Sequence, residues 1–154
     1  MKRVILDAQL LVLLTVGRVN RSSVETHKRT RNFEPGDYEI LTSFLINFDE
    51  IALCPNVATE ASNLLDPKND GDLRFAAGLA AIVSSFSETY VPTAAAAARP
   101  EYGWLGLTDA VLSAMTETGA PLLTRDTGLY TAVLSAGGLA LHFDYLRAGV
   151  YGGT

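Results

Sequence analysis

Short uninterrupted apolar runs alternate along this chain with longer segments whose apolar residues recur at helical spacing. The first run, Arg3 to Leu6, is typical of a strand buried on both faces, and Asp7 ends it. Similar runs predict four further strands, at 51–54, 89–91, 122–124 and 139–143. Helical spacing predicts helices at 8–16, 36–48, 57–65, 72–86, 109–118 and 127–136. Strands alternating with helices predict an α/β protein of three layers, α/β/α, with a five-stranded, mostly parallel sheet.

Residues with strong local preferences predict where several of these elements begin and end. Gly17 and Gly119 are predicted to end the helices that precede them, because glycine readily adopts the left-handed conformation found after a helix. Asn56 and Thr108 have side chains that cap helix N-termini, so we expect helices to start at these two positions. Residues 18–33 are polar and basic, and we expect a loop or partial helix there.

The length of 154 residues predicts a single domain spanning residues 1–154, with a basic insertion at about 18–33. The chain has one cysteine, Cys54, which excludes an intrachain disulfide and makes a reducing, cytoplasmic location the default expectation. No apolar stretch reaches the roughly 18 residues that a membrane span needs, so we expect no membrane association.

Charge is distributed unevenly along the chain. The whole protein carries 12 basic and 17 acidic residues, a formal net charge of −5, which argues against a generally basic nucleic-acid binder. Residues 18–31, which we call the basic strip, nevertheless carry a net charge of +4. Such a strip either contacts RNA phosphates or is a solvated loop. Its basic residues are Arg18, Arg21, Lys28, Arg29 and Arg31.

Acidic residues follow several of the predicted strands. In parallel sheets, ligands bind beyond the carboxyl ends of the strands, so acids at those ends are candidates for one shared site. A single aspartate after a strand is usually a turn residue or helix cap, but four such placements together favour a functional site. The four residues are Asp7, Glu60, Asp109 and Asp126.

Elementary electrostatics restricts what a cluster of carboxylates can be. Two carboxylates about 4 Å apart repel by about 4 kcal/mol at an effective dielectric constant near 20. Several such pairs would rival the total stability of a domain, about 5–15 kcal/mol, so the cluster must hold either protons or a cation. Oxygen ligands without clustered cysteine or histidine favour Mg²⁺ or Mn²⁺. Acidic clusters that bind Mg²⁺ usually act on phosphates, because the ion also coordinates phosphate oxygens.

The same segments resemble the PIN-domain nucleases, the family that includes the VapC-type toxins of toxin–antitoxin pairs. The likeness extends over nearly the whole chain in order and spacing, and the last two matching segments are the most specific. The matching segments are Val4–Leu11, Val57–Ala61, Gly106–Ala110 and Leu122–Asp126.

The resemblance implies a five-stranded parallel sheet, a Mg²⁺ or Mn²⁺ site and cleavage of single-stranded or structured RNA. It makes four residues both catalytic and metal-ligating: Asp7, Glu60, Asp109 and Asp126. A water activated by the metal would leave products with 5′-phosphate and 3′-hydroxyl ends. A toxin of this family would have an antitoxin protein as partner. The apolar helices at 8–16 and 36–48 predict a homodimer face.

Other functions stay open at this point. A metal-dependent phosphatase or other small-substrate hydrolase could use the same sheet edge, although a haloacid-dehalogenase-type enzyme would need aspartate where Gln9 stands. A nucleotide-binding module is disfavoured by the absence of a glycine-rich phosphate loop after the first strand. A PIN-like protein that acts without catalysis, through partners, is the third alternative.

The remaining chemically interesting side chains have simpler interpretations. We expect His27 and His142 to be structural residues rather than a catalytic pair, and Cys54 to be buried packing. Tyr102 and Trp104 precede Asp109 and are candidates for stacking on bases, for anchoring in the core or for a subunit interface, with packing the preferred prediction for Trp104.

Overall fold

The chain folds into a central parallel sheet with helices on both sides, in a computed structural model that describes the backbone of residues 1–151 and the side chains of residues 1–68 and 71–149. The end of the predicted domain, residues 152–154, lies outside the described residues. The strands are β1 (Arg3–Leu6), β2 (Glu50–Leu53), β3 (Ser87–Glu88), β4 (Leu122–Thr124) and β5 (Ala140–His142). The helices are α1 (Ala8–Val19), α2 (Ser23–Thr26), α3 (Asp37–Leu45), α4 (Pro55–Leu64), α5 (Pro67–Asp70), α6 (Leu73–Val83), α7 (Thr93–Ala97), α8 (Tyr102–Leu105), α9 (Leu107–Met115), α10 (Thr127–Ser135) and α11 (Phe143–Tyr151).

The sheet has the strand order β3-β2-β1-β4-β5, and every pairing between neighbours is parallel. The predicted three-layer α/β/α fold with five strands is therefore confirmed. From β1 the chain moves outward through β2 to β3, then crosses back to β4 and continues to β5. Right-handed crossovers place the helices of these two halves on opposite faces of the sheet. The direction of winding changes between β1 and β4, where open α/β sheets form their ligand-binding crevice.

Helix α1 lies at the centre of one helical layer. It packs against α3, α4 and α6, and the side chains from Leu10 to Leu14 are all at most 6% exposed. Helix 8–16, one of the two predicted dimer helices, is therefore part of the protomer's own core. The other predicted dimer helix, 36–48, corresponds to α3, and Ile46 just beyond α3 is an exposed apolar residue.

Two predicted element boundaries are wrong for reasons of tertiary packing. Gly17 does not end α1, which continues to Val19; the absence of a side chain at Gly17 instead makes room for the Tyr38 ring of α3. The third strand is Ser87–Glu88 rather than 89–91, since β2, its only partner, ends at Leu53. After Leu53, Cys54 precedes α4, which starts at Pro55. β2 therefore offers residues 90–91 no further strand residues with which to pair.

Two predicted helix caps are also wrong. Asn56 lies inside α4, which starts one residue earlier at Pro55, a residue favoured in the first turn. Thr108 lies inside α9, which starts at Leu107 after Gly106. Gly106 has a positive φ of 89°, which only glycine adopts readily, and it supplies the sharp turn from α8 into α9. Gly119 follows a 3₁₀ turn in the left-handed conformation, as predicted.

The basic insertion is partly helical, with α2 at its centre, and it is anchored to the core by Val24, Thr30 and Phe33, all at most 7% exposed. Within the described part of the chain, no helix is long and apolar enough to cross a membrane.

Candidate functional site

Asp7 lies at the carboxyl end of β1 and is almost entirely buried. Its Oδ1 accepts a hydrogen bond of 2.6 Å from the Ala8 amide, so the side chain caps α1. Its Oδ2 accepts another hydrogen bond of 2.6 Å from the hydroxyl of Thr124 at the end of β4. Burial raises the pKa of Asp7, and the charges of Asp126 and Glu60 raise it further, against the opposing effect of these two hydrogen bonds.

Thr124 joins the ends of the two strands that flank the crevice. Its hydroxyl donates to Asp7 and accepts a hydrogen bond of 3.0 Å from the Asp126 amide. The Asp126 carboxylate in turn accepts from the Leu129 amide at 2.9 Å and caps α10. Because its only proton is donated to Asp7, the Thr124 hydroxyl acts by positioning the two aspartates.

Asp109 faces the same region from the first turn of α9, where it is half-buried. Burial and then the charges of Asp7, Asp126 and Glu60 raise its pKa to about 7. Among the described residues, no ion pair or hydrogen bond offsets this carboxylate. A cation would stabilise the charged form of Asp109, because no group in the described part of the chain does so.

Glu60 lies on α4 and is exposed. Its charge raises the pKa of both Asp7 and Asp109, so the four predicted acids share one local electrostatic field. Glu60 lines a groove of about 400 Å³ together with Asn56, Tyr90 and Thr108. The groove extends the acidic region towards the β3 edge of the sheet, and Thr108 contributes to it rather than to a helix cap.

The donor chemistry of these four acids fits Mg²⁺ or Mn²⁺, because all the side-chain donors are carboxylate oxygens. Within residues 1–68 and 71–149, no three His, Cys, Asp or Glu side chains are already arranged to hold an ion together. Mg²⁺ usually binds through one or two carboxylates and completes its shell with water and phosphate oxygens. The raised pKa of Asp109 provides the electrostatic reason for a cation here.

The basic strip is divided between exposed and paired side chains. Arg18, Arg29 and Arg31 are exposed. The guanidinium of Arg21 forms two hydrogen bonds with the Glu39 carboxylate, which offsets its charge, and lies over the Tyr38 ring. Lys28 is also exposed.

Arg125 is a residue to which sequence reasoning gave no role, although it lies within a matching segment. Its guanidinium donates to the Asn32 carbonyl at 3.3 Å and lies 4.6 Å from the centre of the Phe33 ring. It also pairs with Asp144 of α11 at 3.1 Å. Because Asp126 is the next residue, Arg125 ties the end of the basic insertion to the acidic edge of the sheet.

The histidines and the cysteine are buried, as predicted for His142 and Cys54. His27 packs edge-on against Phe75, with ring centres 4.8 Å apart. His142 ends β5, and its Nε2 lies 3.2 Å from the Thr127 hydroxyl in the first turn of α10. Burial raises the pKa of the Cys54 thiol, consistent with a packing role. Trp104, by contrast, is 66% exposed, so the prediction that it is a core anchor is wrong.

Compared with known proteins, the chain matches no protein-family model, no curated protein and no solved structure. The likeness to PIN-domain nucleases therefore remains a resemblance carried by four short segments, and the activity it implies is a proposal.

Proposed function

We propose that this protein is a metal-dependent endoribonuclease that hydrolyses single-stranded RNA in the cytoplasm, as its resemblance to PIN-domain nucleases implies. The observation that carries the proposal is the coupling of four carboxylates around the β1/β4 crevice, where Asp109 has a pKa of about 7 because it is buried near the other three. Such a cluster is costly for folding and is typical of a functional site.

The roles of the four acids follow from their positions. Asp7, Asp109 and Asp126 would ligate the ion from β1, α9 and the end of β4, and exposed Glu60 would ligate directly or through water. A bound Mg²⁺ or Mn²⁺ would lower the pKa of a water and offset negative charge on the phosphate. Near neutral pH Asp109 is partly protonated, so ion binding there would release a proton and become tighter as pH rises.

The reaction adds one water molecule across a P–O3′ bond of RNA. The water oxygen bonds to phosphorus, the 3′-oxygen leaves and takes up a proton, and the products end in 5′-phosphate and 3′-hydroxyl. Thr124 contributes by fixing the Asp7 carboxylate and the Asp126 backbone on opposite sides of the crevice. No side-chain nucleophile is needed.

The basic strip and the partners belong to the same proposal. The exposed cations Arg18, Arg29 and Arg31 would contact RNA phosphates. The hydrogen bond from Arg125 to Asn32 supports this, because it places the end of the basic insertion near Asp126. A toxin role would add an antitoxin protein that covers the strip or the acidic edge. A homodimer would use the side of α3 near Ile46, because α1 is buried.

The decisive experiment is RNA cleavage by the purified protein and its Asp109→Asn variant. End-labelled single-stranded RNA is incubated with Mg²⁺, Mn²⁺ or EDTA, and the product ends are mapped. We expect metal-dependent cleavage that leaves 3′-hydroxyl ends and falls by about 100-fold or more in the variant, as when a catalytic group is removed. Glu117→Gln, an exposed acid on the 3₁₀ turn after α9, is the matched control and should cleave normally.

Three outcomes would contradict the proposal. Products ending in 2′,3′-cyclic phosphate would exclude attack by a water. Hydrolysis of small phosphate esters without RNA cleavage would identify a small-substrate hydrolase. Failure to cleave RNA, together with no Mn²⁺ binding by calorimetry, would indicate a protein that acts through partners.

A further inference from the structure

A groove of about 620 Å³ runs between α8 and α10. One wall is Trp104, the only tryptophan of the chain, whose side chain is 66% exposed. The volume lies in the range of small-molecule sites, about 300–1,000 Å³. An exposed indole that lines a groove leaves most of its apolar face available to a ligand.

The groove reaches the start of α10, which the Asp126 side chain caps. Gly128, in the first turn of α10, lines the groove two residues after Asp126. A Cβ built on Gly128 would lie 3.2 Å from Asp126 Oδ1 and 3.4 Å from Leu105 Cδ2. Leu105 of α8 and Asp126 therefore both lie close to Gly128, which lines the groove together with Trp104.

The other lining groups suit a flat, uncharged ring. The exposed face of α10 presents small side chains, of which Thr131 and Ser135 carry hydroxyls that can hydrogen-bond to a ring edge. The acid in the lining, Glu101, is 6% exposed and paired with Arg99 at 2.7 Å. A groove with paired charge does not attract phosphate, but it offers an apolar face and neutral hydrogen-bonding groups.

We propose that this groove binds a base of single-stranded nucleic acid, stacked on the Trp104 indole, next to the phosphate held at the acidic cluster. The inference rests on the proposed nuclease function, because the nearness of Gly128 to Asp126 is what makes a base beside the cleaved bond the occupant. Stacking on an aromatic ring is tolerant of base identity, so the groove orients the strand more than it selects a sequence.

The test uses the intrinsic fluorescence of Trp104, which needs no cleavage. Single-stranded RNA of about ten nucleotides is titrated in Ca²⁺ without Mg²⁺, alongside the same oligonucleotide with abasic sites and a DNA version. We expect quenching by intact RNA and DNA and little quenching by the abasic strand. By anisotropy of a labelled strand, Trp104→Ala should weaken binding about 5- to 150-fold, the range of one lost stacking contact. Trp104→Phe should retain most of the affinity.

Leu134→Ala is the matched control. Leu134 belongs to α10 and is 43% exposed, but it does not line the groove, so its removal should leave affinity within about twofold. Equal quenching by abasic and intact strands would overturn the proposal, as would unchanged binding by Trp104→Ala. A change of sedimentation behaviour in Trp104→Ala would overturn it too, by identifying a subunit interface. Cleavage without quenching refutes the stacking site alone, whereas quenching without cleavage refutes the nuclease alone.

Discussion

The hydroxyl of a single residue, Thr124, holds the ends of β1 and β4 together. It connects two strand ends through a donated and an accepted hydrogen bond, at 2.6 Å and 3.0 Å. Its acceptor is a buried carboxylate, and a buried carboxylate that loses a hydrogen bond keeps its full desolvation cost.

Thr124→Val, a change of nearly equal volume, should therefore lower the free energy of unfolding by about 2 kcal/mol at pH 7, measured by urea denaturation. Thr124→Ser keeps the hydroxyl and should recover more than half of the loss. The matched control is Thr15→Val in α1, since the buried Thr15 hydroxyl bonds only to a carbonyl of its own helix. The prediction is wrong if the valine and serine variants at position 124 are equally stable.

Asp109 makes the stability of the ion-free protein depend on pH. Because its pKa is raised to about 7 in the folded protein, the folded state holds more protons than the unfolded state between about pH 4 and pH 7. The protonated Asp109 carboxyl therefore contributes its full stabilisation below about pH 4, and this contribution is lost as pH rises through 7.

In EDTA, Asp109→Asn should match the wild type near pH 4 and exceed it by about 1–3 kcal/mol above pH 7.5. Thermal unfolding across this pH range measures the difference, with Glu25→Gln, an exposed acid of α2, as the control. Saturating Mg²⁺ should reverse the order above pH 7 by stabilising only the wild type. A difference between the two proteins that does not change with pH would refute the assignment.

At the scale of elements, α11 is held to α3 by a buried ion pair. Arg147 of α11 donates to both carboxylate oxygens of Asp37, at 2.7 and 2.8 Å, and Asp37 is completely buried. Arg147 also pairs with Asp144, which pairs with Arg125 beside Asp126. The chain of contacts extends from the base of α3 to the acidic edge of the sheet.

Arg147→Met should cost about 3–5 kcal/mol of unfolding free energy, because it leaves the Asp37 carboxylate buried without its partner. Adding Asp37→Asn should recover part of this loss, and the double-mutant cycle measures the coupling. Arg74→Met removes an exposed pair with Asp72 and should change stability by less than about 0.5 kcal/mol. Equal effects at positions 147 and 74 would contradict the prediction.

For the molecule as a whole, the charge pattern of the sequence is altered by the pairing of Arg21 with Glu39. All five cations of the basic strip would give a slope of log K against log salt of about −3.5 on a single strand. Arg21 is already paired with Glu39, and the proposed phosphate contacts are those of Arg18, Arg29 and Arg31, so the slope should be about −2.1.

Arg29→Ala combined with Arg31→Ala should reduce the magnitude of this slope by about 1.4, whereas Arg21→Ala should leave it unchanged. RNA binding measured in Ca²⁺ over a range of salt concentrations checks both statements. A flat salt dependence in the wild type would remove the basic strip from the RNA path.

Local sequence patterns alone were enough to predict the fold class and the succession of strands along the chain. Burial on both faces gives parallel strands continuous apolar runs, and helices of this size need an apolar stripe, so both patterns are local. The positions of Asp7 and Asp126 at strand ends followed from the same local patterns, and the structure gives both residues a cap on the helix that follows.

Contacts between distant segments, which the sequence does not reveal, determine which of these residues come together and which side chains stay exposed to solvent. Asp7 and Thr124 are 117 positions apart in sequence and 2.6 Å apart in space. The Tyr38 ring lies where a side chain at Gly17 would be, and Glu39 offsets the charge of Arg21. Trp104 lines a groove rather than the core. Each of these depends on a partner supplied by another element, and hydrophobic periodicity records that a residue has a buried side without recording what covers it.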